Sequence, residues 1–466
     1  MTQALDPTSR HQATHLEKGL GLKDAIALVV GTIIGTGIFL KAAIMTQTAG
    51  SIAAVMLAWV VAAVLSLLGA LCYAELGSRM PESGGEYVFL KKGWHPAAGF
   101  LYGWTRFWIG SPSAISAYAA GSAAFAAGFM NVDAVGGKTV FAISLVWIFT
   151  VINCFRVNYG GKVQVALTVL KIGLIVSIAA GVFILSPAGD WAHFTSGPDM
   201  TFESLVAPSF GAAVLAALWA FDGWNNMPMA AAEIRDGQRN VPKALITGIG
   251  IVTLMYVIAN LAWFYGVHYD EIITSNSTKF KDALPVASKA VLPFMGQSGV
   301  AFVSAAFVLS AIGAMNGSIL TSARVPWAMA RDGLFPKWMA KLNPATHVPV
   351  RAILIQGVCA TLLAASGTFD QLTDYVVFSS WIWYAMAAAS LFRLRKIDDN
   401  FQGYRIKWFP LVPILFIASS LWLMLQAIYS NPIACAIGAV IIMAGVPVYW
   451  WLSKNKSRPQ TVDLAS

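Results

Sequence analysis

The stretch GTIIGTGIF, Gly31–Phe39, lies inside the first long apolar run of the chain and places three glycines within seven positions. Each costs a helix up to about 1 kcal/mol relative to alanine, so a plain membrane helix has no use for them. Gly31 and Gly35, four residues apart, share a helical face and suit close helix packing. Gly37 lies off that face and directly follows Thr36, so the run also reads as a local opening of the helix. Irregular backbone survives at membrane depth only where it is buried in protein or lines a cavity. The stretch therefore points to a binding site built into a membrane helix.

Composition supports a membrane setting. Hydrophobic residues make up 57% of the 466 positions and charged residues 11%, against about 25% charged in a water-soluble globule. A bilayer-spanning helix needs roughly 20 apolar residues. At that length about twelve spans are predicted, at 24–48, 51–77, 97–128, 138–157, 161–185, 204–233, 243–267, 296–329, 351–367, 372–394, 409–429 and 431–452. The expected fold class is an all-α integral membrane protein. Residues 1–22 lack the apolar core of a cleavable leader and are expected to stay as a cytoplasmic tail, with a second tail at 453–466. Lys and Arg favour cytoplasmic loops. One alternate set of loops holds fifteen of them, from Arg79 to Lys407, and the other only Lys41, Lys138, Lys279, Lys281 and Lys289. Both termini are therefore expected in the cytoplasm. The net charge of +9 follows from these dispersed loop charges, which form no single basic face of the kind that binds nucleic acid.

Metal and thiol chemistry find no support. Cys72, Cys154, Cys359 and Cys435 fall within the predicted spans without CxxC spacing, and the six histidines form no ligand pair. No metal or cofactor is expected.

A second interruption, LWAFDGWNNMP at Leu218–Pro228, breaks the sixth span with Asp222, Gly223, two asparagines and Pro228. Interrupted spans one and six, five spans apart, are what an inverted repeat of five plus five helices produces. Freed N–H groups of a half-helix hold a carboxylate, and freed carbonyls accept hydrogen bonds from an ammonium. A zwitterion fits such a pair of poles.

Four segments carry a family likeness: GTIIGTGIF; AELGSRMPESGGEYVFLKKGW, Ala74–Trp94; FDGWNNMPMAAAEIRDGQRNVPKAL, Phe221–Leu245; and SAIGAMNGSILTSARVPWAMARDGLFP, Ser310–Pro336. Through them the chain resembles the amino acid, polyamine and organocation transporter superfamily, and within it the L-type amino acid transporter family. The resemblance implies a LeuT-like fold, with residues 23–394 as the ten-helix core and 395–452 as helices 11 and 12. It implies a sodium-independent exchanger of small to medium neutral L-amino acids at the plasma membrane. Alternating access would rock spans one, two, six and seven against three, four, eight and nine. The alternative is a proton-coupled symporter of amino acids or polyamines. An enzyme is not expected, because no nucleophile stands beside a base.

The resemblance also implies residue roles. The substrate carboxylate would bind N–H groups of Gly35, Thr36 and Gly37, with the Thr36 hydroxyl helping, and the Ile33 carbonyl would face the ammonium. Carbonyls of Trp219, Ala220, Phe221, Asp222 and Gly223 would complete that pole, with Trp219 an aromatic gate and Asn225 supporting the turn. A glycine commonly stands where this chain has Asp222, whose carboxylate would either cap the turn or meet substrate. Lys171, mid-span in the fifth helix, would occupy the place of a sodium ion and reach carbonyls near Gly31 and polar groups around Asn316 and Ser318; a purely structural tether is the other reading. Arg106 is expected to pair with Glu75, and Arg324 to join an inner gate. Ser111 and Ser113 are candidate pocket walls, with Phe378, Trp381 and Trp383 as weaker ones. Expected partners are L-amino acids and membrane lipid. The loop Phe129–Lys138 lacks the cysteine through which some relatives bond a heavy subunit, so no disulfide-linked partner is expected.

Replacing Gly37 by leucine is expected to abolish binding of every substrate together, because backbone donors serve all amino acids alike. Trp219→Ala is expected to alter kinetics and side-chain preference instead. Uptake of a panel of radiolabelled amino acids by both variants separates the two outcomes, and retained transport by Gly37→Leu would remove the site from this stretch.

Overall fold

The computed structural model describes residues 15–277, 279–280, 282–366 and 369–456. Seven helical segments are long and apolar enough to cross a membrane: Leu22–Ala49, Ile52–Arg79, Val157–Leu185, Gly237–Gly266, Val286–Arg331, Leu411–Tyr429 and Cys435–Lys454. Three shorter apolar helices, Gly137–Ile152, Pro208–Phe221 and Val350–Ala365, join them. Span three, at 96–126, and span ten, Phe369–Ile397, complete twelve among the described residues. The chain is an all-α, multi-pass membrane protein; most span ends lie within several residues of those read from hydropathy, but span eight begins ten residues earlier, at Val286, ahead of a kink at Gly296. The outermost parts of the two tails and the Phe378 side chain lie outside the described residues.

The breaks fall where the glycines and polar residues stand. Span one divides into Leu22–Ile33 and Gly37–Ala49, joined by Ile34, Gly35 and Thr36. Span six divides into Pro208–Phe221 and the short turn Asn226–Met229. Between them Gly223 takes φ of +119°, where a Cβ would lie 2.8 Å from the Thr32 carbonyl oxygen. Conformation and crowding both require glycine there.

Packing sorts the helices. Spans one, two, six and seven pack on one another, while three, four, eight and nine form a second group. Span five touches spans one, seven and eight, and span ten packs on span three and span eleven. The two groups meet along the broken helices, as a bundle moving against a scaffold requires.

Two local features were not read from hydropathy. Gly84 and Gly85, both at positive φ, turn the chain after span two into an eight-residue helix, Glu86–Gly93, that buries Glu86, Tyr87, Phe89 and Leu90. Span three contains a π turn at Arg106–Gly110, between Pro96–Thr105 and Ser111–Ala126. Cys154 lies in a turn just past Gly137–Ile152 rather than within that helix.

The end of the bundle from which the chain enters span one is closed by an ion pair inside the protein. Arg324 of span eight donates from Nε and Nη2 to the two carboxylate oxygens of Glu233, at 2.7 and 2.8 Å. Both residues are almost wholly buried. Beside them Leu20, just before span one, exchanges backbone hydrogen bonds with Glu233 and Arg235 (2.9 and 2.8 Å). The pair joins the span-six end of the bundle to the scaffold. Glu233→Gln leaves the Arg324 charge buried without its partner, a loss of about 3–5 kcal/mol in the closed form. Faster alkylation of an added Ala232→Cys by a water-soluble maleimide, with a lowered melting temperature, is the expected result.

Candidate functional site

Breaking span one frees carbonyls and amides at membrane depth, and the structure treats the two kinds differently. The carbonyls are met by side chains from three helices. Lys171 Nζ donates to Gly31 O at 2.9 Å, Ile34 O at 2.6 Å and Ser310 O at 2.9 Å. The Ser310 hydroxyl donates to Gly35 O at 2.8 Å. Tyr256 of span seven sets its hydroxyl 3.1 Å from Ile33 O and 2.7 Å from Ala220 O, so one phenolic proton serves both breaks. Thr32 Oγ1 reaches Gly223 O at 2.9 Å and fastens the two interrupted helices where they cross.

The amides are left open. Among the described residues, the N–H groups of Gly35, Thr36 and Gly37 have no hydrogen-bond partner. The buried Thr36 hydroxyl has none either. They stand at the start of the thirteen-residue helix Gly37–Ala49, whose exposed donors and dipole favour an anion. Gly37 is held against span six, since a Cβ on it would lie 2.5 Å from Ala220 Cβ and 3.3 Å from the Trp219 ring.

Opposite lies the span-six break. Asp222 stays half-buried although Phe221 and Gly223–Met229 around it are buried, and Trp219 and Tyr118 are half-buried too. These three border accessible space at the crossing. The Tyr384 hydroxyl of span ten donates to Asp222 Oδ1 at 2.6 Å. Lys41 Nζ sits 4.4 Å from the Trp219 ring centroid. Ser111 Oγ, Ser113 Oγ and Asn225 Oδ1 are buried without a partner in the protein, although buried polar atoms are normally paired.

A buried polar network supports this region. Glu86 accepts from Asn225 Nδ2 at 2.8 Å, Tyr102 OH at 2.9 Å and Tyr73 OH at 3.4 Å. Arg106, at the π turn, donates to Asn226 Oδ1. Span three and Glu86 together thus hold both asparagines of the turn that follows the span-six break.

The structure brings Gly31, Ile33, Gly35, Thr36, Gly37, Lys171, Trp219, Ala220, Phe221, Asp222, Gly223 and Asn225 to this crossing. Two expected pairings are corrected. Lys171 bonds Ser310 rather than groups around Asn316 and Ser318: Asn316 instead bridges Asn153 (2.9 Å) and Gln164 (2.8 Å), and Ser318 lies further along the same helix. Gly313 makes room for the lysine, since a Cβ there would fall 2.7 Å from Nζ. Arg106 does not reach Glu75, which Arg79 and Arg395 hold instead at 3.0 and 2.5 Å. Of the span-ten aromatics, Trp381 packs on Tyr384 and Phe416, and Trp383 on Tyr102. Sequence reasoning missed Glu86, Tyr118, Tyr256, Ser310 and Tyr384. The polar GGEY run was the one available signal for Glu86, and the tyrosines in apolar helices carried none.

Two broken helices crossing inside an inverted-repeat bundle, with an anion-seeking end beside carbonyls and a carboxylate, define a membrane carrier rather than a channel or receptor. The comparisons agree. The amino acid permease family matches residues 20–453. The serine/threonine exchanger SteT of Bacillus subtilis is 31% identical over 95% of this chain and 98% of its own length. The human large neutral amino acids transporter small subunit 2 is 30% identical over 96% and 84%. The mouse b(0,+)-type amino acid transporter 1 is 30% identical over 97% and 93%. The chain belongs to the amino acid permease family, in the L-type branch of the amino acid, polyamine and organocation superfamily, and is an amino acid transporter.

Lys171→Met leaves the carbonyls of Gly31, Ile34 and Ser310 without their donor, each at a cost of about 1–3 kcal/mol. Exchange flux per reconstituted molecule is expected to fall at least about tenfold, and near-normal flux would show that the break is held by other groups.

Proposed function

We propose that this chain is a sodium-independent exchanger of small, neutral, polar L-amino acids that works by alternating access across the plasma membrane, with both termini in the cytoplasm. The observation that carries the reading is the asymmetry of the first break: its carbonyls are occupied by Lys171, Ser310 and Tyr256, while the Gly35, Thr36 and Gly37 amides and the Thr36 hydroxyl remain open. A carboxylate accepts from these donors. The ammonium then sits toward the second lone pairs of the Ile33 and Ala220 carbonyls and the carbonyls of Phe221 to Gly223. Asp222, held by Tyr384, adds carboxyl oxygens at that pole.

Sodium independence rests on Lys171, whose ammonium takes three carbonyl oxygens between spans one, five and eight and supplies there the charge of a metal ion. Preference for a small polar side chain rests on the unpartnered Ser111, Ser113 and Asn225 Oδ1, and the exchanger SteT, named for serine and threonine, accords with it. The residues at 129–138 hold no cysteine, so the chain works without a disulfide-linked heavy subunit. The working unit is the ten-helix core at 23–394, flanked by helices 11 and 12.

Exchange across this site proceeds in three steps. Substrate neutralises the open amides and draws the two breaks together. The bundle then rocks against the scaffold, and the Glu233–Arg324 pair parts to open the cytoplasmic side. Return requires a loaded site, because an empty one leaves the buried donors unpaired through the occluded form.

The test is uptake of radiolabelled amino acids into proteoliposomes with and without unlabelled amino acid inside, in sodium or choline medium, and with an imposed proton gradient. Uptake of serine and threonine that needs internal substrate and ignores sodium is expected. Gradient-driven uptake into empty vesicles would establish proton symport instead.

A further inference from the structure

A cleft of about 440 Å³ opens on the cytoplasmic face where the start of span seven meets the loop between spans ten and eleven. Arg239 and Lys243, one helical turn apart, line one wall, with Gln238 beside them and Gln402 and Tyr404 opposite. No carboxylate lines the cleft among the described residues, and neither Arg239 nor Lys243 forms an ion pair with a described residue. Most neighbouring cytoplasmic cations are committed, Arg79 and Arg395 to Glu75 and Lys91 to Asp332. The loop wall is fixed, because the Tyr404 N–H donates to Ser78 Oγ, which itself donates to Gln238 O. A concave site with two free cations, two amides and a phenol takes an anion with several acceptor oxygens, such as a phosphodiester.

The face below the cleft says which anion. Lys243, Thr247, Gly250, Leu254 and Val257 recur at helical spacing and are the exposed positions of one stripe of span seven. Leu254 is 56% and Val257 37% exposed, and a Cβ on Gly250 would meet nothing within 4 Å. The stripe faces lipid, with space left open over Gly250. From Lys243 to Val257 it runs about 21 Å at 1.5 Å per residue, more than one leaflet of a hydrocarbon core about 30 Å thick. Lys243 therefore stands at headgroup level with an acyl-sized track beneath it.

We infer that a phospholipid with an anionic headgroup seats in this cleft, its phosphate on Arg239 and Lys243 and one acyl chain along the Thr247–Val257 stripe. It joins the cytoplasmic ends of spans two and seven, through Ser78 and Gln238, to the membrane surface, so it orients the moving bundle at the inner leaflet. The inference stands apart from the substrate site and does not depend on which amino acid is carried.

The full chain in nanodiscs of phosphatidylcholine with a minor fraction of phosphatidylglycerol tests this, with retained phosphatidylglycerol counted by native mass spectrometry after release into detergent. Each cation near an anionic surface is worth about fivefold in affinity, so Arg239→Gln with Lys243→Gln is expected to weaken retention about 25-fold. The charge-preserving Arg239→Lys with Lys243→Arg is expected to keep it, as is Lys337→Gln with Lys341→Gln on another cytoplasmic loop. Equal loss in the Lys337 and Lys341 variant would mean diffuse surface attraction and overturn the site. Unchanged retention in the Arg239 and Lys243 variant would do the same. Displacement of phosphatidylglycerol by millimolar inorganic phosphate would assign the cleft to a soluble anion and overturn the lipid.

Discussion

A helix opened at membrane depth exposes backbone that has no water to bond, and each exposed group costs several kcal/mol unless something answers it. Here the answer is divided by chemistry. Every carbonyl freed in span one that the structure pairs is met by a lysine ammonium, a serine hydroxyl or a tyrosine hydroxyl, drawn from spans five, eight and seven. The amides of Gly35, Thr36 and Gly37 are met by no group among the described residues. The same break is therefore held on its acceptor side and open on its donor side, and the proposed exchange uses that difference.

The charged groups buried below this joint extend the logic toward the end where the chain enters span one. Glu86 gathers two tyrosines and an asparagine, Arg106 holds the other asparagine of the same turn, and Glu233 takes Arg324. Removing either member of the Glu233–Arg324 pair strands a charge in low dielectric. Together these groups tie the turn after the span-six break to spans two, three and eight in sequence, so movement of that turn rearranges polar contacts at several depths. Such a path resists half-open states, because partial separation loses the pairing before water arrives to replace it.

Much of this was legible in the chain alone, for definite reasons. Glycines and asparagines inside apolar runs mark where a helix cannot continue, and a mid-span lysine needs partners, so both breaks and Lys171 could be read from residue type and depth. Partners across helices could not. Ser310 and Asn316 are separated by six residues, about 9 Å along one helix, and which of them meets Lys171 depends on how far span eight slides past span five. No local pattern encodes that offset. Glu86 was hidden for another reason: two glycines and a polar neighbourhood resemble a solvated loop, and only the turn at Gly84 and Gly85 folds the carboxylate inward. Tyr256 and Tyr384 look like ordinary aromatics in apolar helices until the facing backbone is known.

The π turn at Arg106–Gly110 bears on which faces span three presents. A π turn accommodates one residue more than the α turn it replaces, and one residue rotates a helix by about 100°. The outer part of span three, with Ser111, Ser113 and Tyr118, is therefore phased differently from the part that carries Tyr102. A regular α-helical register carried outward from Tyr102 would therefore misplace the faces of Ser111, Ser113 and Tyr118 by about 100°.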